Sequence, residues 1–221
     1  MENEYKYRRR LSSTMIPKVI VQTSRKGIPE YVVDMIKENS PGWEYKHFND
    51  HEALAFFLEN PVEEFPDVFQ KFTSYSYGEH RADLFRYYYL YVKGGVYIDS
   101  DAMIEDNIEN IVQDFDFFSV DSSYLPGSIF QGFIGCAPRN VIIYEALKDL
   151  YDRTNDELIR DFHLLCKNMY RIVFTHIMEC NVKLYKEQLC KNNCYDIVDY
   201  ENQDKLVLVH YSETKVVPPR R

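Results

Sequence analysis

The sequence predicts an α/β fold in which a mostly parallel central sheet is flanked by helices, with a further helical portion toward the C-terminus. Short β-branched runs alternate with amphipathic helical segments through the N-terminal half, as in strand–helix–strand units. A long helical segment is then followed by two glycines and a short apolar run, again as in such a unit. With 221 residues the chain fits one large domain, expected at 16–212 between a flexible arm at 1–15 and a basic tail at 213–221.

The first elements can be read from turn, cap and strand signals. In chain order we expect a strand at 18–22, a helix from Pro29 to Asn39, a strand at 44–48 and a helix behind the N-cap Asn49. In an open parallel sheet, ligands bind beyond the carboxyl ends of the strands. Gln22 and Thr23 at the end of the first strand are therefore predicted ligand contacts.

A long amphipathic helix is predicted from Gly78, because apolar residues then recur at helical spacing. Asp83 and Arg86 interrupt the apolar stripe three residues apart, so both lie on one face of the helix. This spacing predicts an intrahelical ion pair. Gly94-Gly95 ends the helix, as expected where a left-handed backbone conformation is needed.

The short strand at 96–98 ends in a pair of carboxylates, Asp99 and Asp101. A parallel arrangement brings them to the same edge of the sheet as the end of the first strand. As alternate residues of an extended chain they would point the same way. Carboxylate oxygens are the ligands that Mg²⁺ and Mn²⁺ prefer, so the pair predicts a divalent cation site.

The C-terminal half contains both kinds of element. We expect strands at 115–120 and 129–136, a helix at 140–150, a long helical tract at 156–190, and late strands at 197–198 and 206–209. His163 and His176 in the helical tract are expected to be structural. The last strand delivers His210 at its end.

Composition excludes several classes of function. The net charge of −9 argues against nucleic-acid binding, which needs a basic face. No apolar stretch approaches the roughly 20 residues needed to span a bilayer, and the N-terminus lacks an apolar signal-peptide core. We therefore expect a cytoplasmic protein without a membrane span.

The residues around the carboxylate pair resemble a known family. Arg81-Ala-Asp83-Leu-Phe-Arg86-Tyr, followed by Gly94-Gly95-Val-Tyr-Ile-Asp99-Ser-Asp101, resembles the core of the D-x-D sugar-binding glycosyltransferases. That family includes fungal initiating α-1,6-mannosyltransferases and bacterial or viral polysaccharide transferases, and is related to the clostridial glucosylating toxins. Further similar stretches run from Ile16 to Thr23 and from Gln131 to Pro138. Val21 and Ser24 stand where the family usually has His and Trp, and His210-Tyr-Ser212 lacks the Trp of the C-terminal motif.

The resemblance implies a Rossmann-like, single-domain GT-A fold that moves a sugar from a nucleotide diphosphate sugar to a hydroxyl acceptor, with retention of configuration. The donor would be UDP- or GDP-linked, and the acceptor a glycan or a protein-linked glycan. Asp99 and Asp101 would hold Mn²⁺ or Mg²⁺ against the two phosphates, with His210 as a candidate third ligand. A metal there would stabilise the charge that develops on the leaving diphosphate.

The same resemblance assigns the donor contacts. Asp83 and Arg86 match family positions that contact the donor sugar and phosphates, and an arginine can donate paired hydrogen bonds to phosphate oxygens. Gln22, Thr23 and Ser100 would line the nucleotide site. The expected catalytic residues are Asp83 and Arg86 together with Asp101.

Other functions also fit a pair of aspartates after a strand. A phosphatase of the haloacid dehalogenase type uses the first Asp as nucleophile, but it needs a later Lys and a paired-acid motif that are not evident here. A non-catalytic nucleotide-sugar-binding module could carry the same motif. An EF-hand loop starting at Asp99 is excluded, because Met103 would fall on an oxygen-ligand position and Ile104 on the turn glycine. The phosphatase and the binding module stay open.

Overall fold

The structure is a computed structural model that describes residues 15–190 and 195–210, except for the side chain of His210. The basic tail predicted at 213–221 lies outside the described residues. So does the predicted arm, apart from Met15.

The described residues form helices and strands in alternation. The helices are α1 (Glu30–Asn39), α2 (Asp50–Glu59), α3 (Val68–Ser74), α4 (Gly78–Lys93), α5 (Ile108–Val112), α6 (Val141–Asp152), α7 (Asn155–Arg160) and α8 (Leu164–His176). The strands are β1 (Val19–Thr23), β2 (Glu44–Phe48), β3 (Gly95–Ile98), β4 (Ala102–Ile104), β5 (Phe117–Asp121), β6 (Ile129–Cys136), β7 (Val182–Leu189), β8 (Tyr195–Asp199) and β9 (Lys205–His210). A 3₁₀ turn at Tyr200–Asn202 links β8 to β9.

One sheet contains all of these strands, in the order β2-β1-β3-β6-β5-β7-β8-β9-β4. The pairs β1–β2, β1–β3 and β5–β7 are parallel. The other neighbouring pairs are antiparallel. Among them, β6 lies between β3 and β5 and is antiparallel to both. The predicted α/β class with flanking helices is confirmed, and the sheet is mixed, with parallel pairing in β2-β1-β3 and between β5 and β7.

The sheet curls back toward its own start. β3 and β4 follow one another in the chain, separated only by residues 99–101, yet β6, β5, β7, β8 and β9 lie between them in the sheet. The far edge of the sheet must therefore return to the end of β3, in keeping with the right-handed twist that coils large sheets. The carboxylate pair lies at this closing point.

A hydrophobic core covers each face of the sheet. Alternate residues of β1 divide between them: Val19 and Val21 pack with helices α2, α4, α6 and α8, and Ile20 packs with α1 and α5. This alternation is the period-2 pattern of a strand buried on both faces. Most of the aromatic content lies here, since Tyr87 and Tyr88 in α4 are almost completely buried. Each buried ring of this size contributes about 2 kcal/mol through lost apolar exposure.

Two glycines let the chain pass from α4 into β3 beside β1. Gly94 has φ +67° and Gly95 has φ +104°, and both values are unfavourable for residues with a side chain. A Cβ on Gly95 would lie 2.8 Å from the carbonyl oxygen of Val19. The predicted helix stop is confirmed, and it sets the position of β3 against β1.

The predicted start of α2 is also confirmed. The Asn49 side chain accepts hydrogen bonds from the backbone of His51 and Glu52. The Glu52 carboxylate accepts one from the backbone N–H of Asn49 at 2.8 Å. This reciprocal capping box orients α2 directly behind the carboxyl end of β2.

The helical tract predicted at 156–190 is wrong over its last part. Helices α7 and α8 occupy Asn155–Arg160 and Leu164–His176, but Val182–Leu189 forms β7 in the middle of the sheet. The short elements β4 and α5 were not expected from the sequence. No helix in residues 15–190 and 195–210 is long and apolar enough to cross a bilayer.

Candidate functional site

The residues that follow β3 form a tight, anchored turn. The backbone N–H of Asp99 donates to the carbonyl of Gly132 in β6 at 2.8 Å, and Ala102 N–H donates to the carbonyl of Asp99 at 3.0 Å. Ser100 and Asp101 lie in the turn and are half-buried. The expectation that both carboxylates leave an extended backbone is wrong, because the chain reverses here to enter β4.

Gln22 holds this turn from the end of β1. Its side chain is fully buried, and its Nε2 donates to the carbonyl of Asp99 at 2.8 Å. Its Oε1 accepts from the hydroxyl of Tyr45 at 2.8 Å. Burial raises the pKa of Tyr45 to about 12, so the phenol keeps the proton that it donates. Both ends of the Gln22 amide are therefore engaged within the protein.

Thr23 is linked to the site through a buried tyrosine. Its hydroxyl lies 2.8 Å from the hydroxyl of Tyr97 in β3, and the guanidinium of Arg86 lies 4.6 Å from the centre of the Tyr97 ring. Burial raises the pKa of Tyr97, so the ring is neutral beneath the cation. A cation held over a tyrosine face is attracted by the ring quadrupole.

Arg86 joins the two acidic parts of the site. Its Nη2 lies 3.2 Å from Asp83 Oδ1 and 3.4 Å from Asp99 Oδ1. Its Nη1 donates to the carbonyl of Gln131 at 2.6 Å. The predicted ion pair between Asp83 and Arg86 is confirmed, and it continues to the turn.

The charge of Arg86 is fixed by these neighbours. Its side chain is almost completely buried, and burial alone would lower its pKa. Tyr97, Asp99 and Asp83 outweigh burial and raise the pKa above that of an ordinary guanidinium. The guanidinium thus forms ion pairs with both carboxylates.

Two β6 residues complete the wall beside Asp99. A Cβ on Gly132 would collide with the Asp99 carboxylate and with the ring of Phe130, so glycine makes room for this carboxylate. Gln131 is buried, and its Nε2 has no hydrogen-bond partner among the described residues. Buried amides are normally paired, so Gln131 offers an unused donor beside the site. Neither Gln131 nor Tyr97 was among the site residues predicted from sequence.

The first turn of α8 faces the same carboxylates from the other side. Burial raises the pKa of the Cys166 thiol to about 12, and Asp83 contributes to this rise. Tyr87 in α4 is buried nearby, and its hydroxyl has no hydrogen-bond partner among the described residues. Burial raises the pKa of Tyr87 strongly, and Asp83 adds to that rise as well. The carboxylate of Asp83 thus acts electrostatically on groups of both α4 and α8.

The residues present fit a divalent cation with open coordination positions. Among the described side chains, no group of three or more His, Cys, Asp or Glu residues could hold a metal ion by itself. Mg²⁺ and similar ions are commonly bound by only one or two carboxylates, with substrate phosphates and waters completing the shell. Asp99 and Asp101 on one anchored turn match that donor set.

His210 approaches the turn from β9. Its backbone pairs with Ala102, the residue directly after Asp101. Its side chain lies outside the described part of the structure. The strand register is thus compatible with the predicted third ligand, which stays a prediction.

A second candidate site is a polar cavity of about 270 Å³ that is lined by α5 and by strands β7, β8 and β9. Charged residues of its lining have ionic partners: Asp106 pairs with Lys205 at 2.7 Å, and Asp199 pairs with Lys183 at 2.7 Å. The carboxylate turn is therefore the better candidate for binding a charged ligand.

Comparison with known proteins agrees with this geometry. Residues 29–118 match the family model described as glycosyltransferase sugar-binding region containing DXD motif. A mannosyl phosphorylinositol ceramide synthase of Saccharomyces cerevisiae is 32% identical over 145 residues, which is 63% of this chain and 36% of that protein. An uncharacterized glycosyltransferase of Acanthamoeba polyphaga mimivirus is 27% identical over 151 residues, covering 64% of this chain and 58% of that protein. The chain thus spans about a third of the yeast relative and somewhat more than half of the viral one.

A solved structure shares the fold. The PaToxG glycosyltransferase superposes with a TM-score of 0.54 at 15% identity, covering 80% of this chain and 77% of that one. The shared fold is of the GT-A type. Over residues 29–118, which carry α4 and the Asp99–Asp101 turn, the chain is similar to the glycosyltransferase sugar-binding regions that contain the DXD motif.

Proposed function

We propose that this protein is a metal-dependent glycosyltransferase that moves a sugar, with retention of configuration, from a UDP- or GDP-linked donor to a hydroxyl of a glycan acceptor. The observation that carries the proposal is the continuous network of Asp83, Arg86 and Asp99 at the anchored turn. Two carboxylates, Asp83 and Asp99, contact one guanidinium at the carboxyl edge of β1 and β3, and Asp101 lies on the same turn as Asp99. Such an edge is where open α/β sheets bind ligands.

In the proposed site, Asp99 and Asp101 would hold Mn²⁺ or Mg²⁺, with His210 as the predicted third ligand. Such an ion would supply positive charge against the leaving diphosphate. In the transfer, the bond from the anomeric carbon to the diphosphate oxygen breaks and a nucleoside diphosphate leaves. The acceptor oxygen forms the new bond to that carbon and loses its proton.

The other residues position and recognise the donor. Arg86 pairs with the Asp99 carboxylate and orients it, and Gln22 fixes the backbone of Asp99. Thr23 and Ser100 offer hydroxyl groups to the nucleotide, and Asp83 accepts hydrogen bonds from the donor sugar. Preorganised charges of this kind stabilise a transition state without reorganising during the reaction.

The name of the yeast relative, a mannosyl phosphorylinositol ceramide synthase, makes a mannosyl donor the first to test. Because this chain covers only part of that protein, the sugar and the acceptor are both proposals. A match in the donor site says nothing by itself about the acceptor side.

Binding of the nucleotide part provides a direct test. UDP and GDP are titrated calorimetrically into the full chain with MnCl₂ and, separately, with EDTA. We expect at least one nucleotide to bind with Mn²⁺ and to lose at least about ten-fold in affinity with EDTA or in Asp101→Asn, since losing a metal ligand costs no less than losing its outer-shell support. Asp34→Asn, on the exposed side of α1, is the matched control. Equal binding with and without the metal would contradict the proposed metal site.

A further inference from the structure

Aromatic rings from four separate segments form a continuous row beside the candidate site. Neighbouring ring centroids along the row are 5.4 to 6.1 Å apart, the range of direct ring–ring contact. We call this row the aromatic ridge; in order it consists of Tyr77, His80, Phe162, His163, Tyr124 and Tyr195. The contacts hold the rings in defined orientations although they come from the start of α4, the α7–α8 link, the β5–β6 loop and the start of β8.

The ridge combines exposed rings with an unpaired polar group. Phe162 is 51% exposed, Tyr124 64% and Tyr77 47%. Contiguous apolar surface of this kind on a soluble domain marks a binding surface. His80 is only 1% exposed, and neither of its ring nitrogens has a hydrogen-bond partner among the described residues. Buried polar side chains are normally hydrogen-bonded, so His80 lacks a partner that a ligand can supply.

The ridge is connected to the candidate site at one end by α4 and at the other by the strand pairing of β8, β9 and β4. At one end, Nδ1 of His80 lies 3.7 Å from Oδ2 of Asp83. Asp83 precedes Arg86 by one turn of α4. At the other end, Tyr195 pairs in the sheet with His210, and His210 pairs on its other side with Ala102. The ridge thus runs from Asp83 to a point two strands away from the Asp99–Asp101 turn.

We propose that the aromatic ridge is the acceptor platform and that the acceptor presents a polyhydroxylated ring, a sugar or a cyclitol. This inference rests on the proposed glycosyl transfer. Aromatic faces stack on the apolar faces of such rings, and tyrosine and histidine add hydrogen bonds at their edges. A ring hydroxyl held beside His80 lies next to Asp83, where the donor sugar is proposed to bind.

A lipid surface is the other partner that exposed aromatic rings can meet. Anionic bilayers are recognised by clusters of Lys and Arg, whereas the ridge is built from Tyr, Phe and His. Acyl chains would also leave the buried imidazole of His80 without a hydrogen bond, which is costly in an apolar environment. The hydroxyl groups of a polyol can form hydrogen bonds with the ring nitrogens of His80. The chemistry of the ridge therefore favours a polyol.

The test uses methyl α-mannoside and myo-inositol as probes of the full chain, with affinities measured by saturation-transfer NMR. Phe162→Ala and Tyr124→Ala should each weaken binding of at least one probe roughly three- to ten-fold, the loss expected for one aromatic stacking contact. Phe174→Ala is the matched control, because Phe174 is also exposed (45%) but contacts Tyr170 on α8, outside the ridge. Melting curves check that all three variants fold.

Binding that is unchanged in both ridge variants, or weakened equally in the control, would overturn the platform. So would ridge-dependent sedimentation with vesicles of phosphatidylserine and phosphatidylcholine when neither polyol binds. The readout needs no metal or nucleotide. A failure of nucleotide binding would therefore count against the proposed donor site, and a failure of polyol binding against the ridge.

Discussion

At the scale of single residues, Arg86 connects the helix that carries Asp83 to the turn that carries Asp99. It is buried between two carboxylates and a tyrosine ring. Removing one partner from a buried ionic network leaves an uncompensated charge and costs on the order of 3–5 kcal/mol. Substitutions of Arg86 would therefore mix a loss of stability with a loss of binding. A cleaner test of the site changes a residue that carries no charge.

Gly132→Ala is such a change. The added methyl group would collide with the Asp99 carboxylate and with Phe130, so the carboxylate must move away from its place above Arg86. We expect the affinity for a nucleoside diphosphate with Mn²⁺ to fall by about ten-fold or more, the usual cost of disturbing the support of a metal ligand. Calorimetric titration measures the change.

Gly78→Ala serves as the control for that prediction. A Cβ there meets nothing closer than 3.9 Å, and alanine favours the helix that begins at this residue. Wild-type affinity in both variants would show that the Asp99 carboxylate is not placed as described.

At the scale of elements, cap, turn and periodicity signals in the sequence predicted most of the helices and strands. They failed at β7, where buried polar residues conceal the pattern of a strand. In β7, the residues that face inward are Lys183, Tyr185 and Glu187. Lysine and glutamate favour helices. Because other polar residues stand next to them, the strand lacks the regular alternation of apolar and polar residues that predicts a half-buried strand. Lys183 is stabilised inside by Asp199 at 2.7 Å, and Glu187 accepts from Ser122 at 2.7 Å. These partners are distant in the sequence, so local pattern could not identify them.

The residues of the candidate site also fall into two groups, those that local sequence patterns predict and those that depend on pairing between distant strands. The Asp83–Arg86 ion pair and the glycine stop were predicted from local spacing, and both are confirmed. The family resemblance placed Asp83 and Arg86 in one site with Asp99, and Arg86 contacts both carboxylates. Gln131 depends on the antiparallel insertion of β6 beside β3, a pairing that periodicity does not encode. The glycine pattern of that segment was the only local signal of close packing there.

The C-terminal end of α8 supplies a prediction about pH. Buried His176 lies with Nε2 2.9 Å from Glu145 in α6 and Nδ1 3.1 Å from Glu179. Burial alone would lower its pKa, but Glu179 and Glu145 raise it above 6.5. A raised histidine pKa stabilises the fold below the unfolded-state pKa, and that contribution is lost as pH rises through the folded-state value.

We therefore expect the free energy of unfolding to fall between about pH 6 and about pH 8 by more in the wild type than in His176→Gln. Urea denaturation at the two pH values measures the difference. The same pH dependence in both proteins would show that His176 is not paired in this way.

At the scale of the whole molecule, one curled sheet ties the two cores together. β4 returns to the sheet at its far edge and pairs with β9, so the two halves of the chain share one set of backbone hydrogen bonds. The single domain at 16–212 stays a prediction from the sequence. The predicted cytoplasmic setting stays a prediction from the sequence.

A single domain should unfold in one transition. Trp43, the one tryptophan of the sequence, donates its indole N–H to Glu109 at 2.9 Å and reports on the α1–α5 side. Far-UV circular dichroism reports mainly on the helices of the other face. We expect the two probes to give the same urea midpoint, as for a two-state domain. Two separated midpoints would mean that the faces unfold independently.

The central claim is that the Asp99–Asp101 turn holds a nucleotide diphosphate sugar for transfer. The most direct measurement incubates the full chain with a panel of UDP- and GDP-linked sugars and Mn²⁺, and follows release of nucleoside diphosphate. We predict release from at least one donor, abolished by EDTA and in Asp101→Asn and retained in Asp34→Asn. Phosphate release from simple phosphoesters instead would indicate a phosphatase. Metal-dependent binding without turnover of any donor, with or without polyol acceptors, would contradict glycosyl transfer and indicate a binding module.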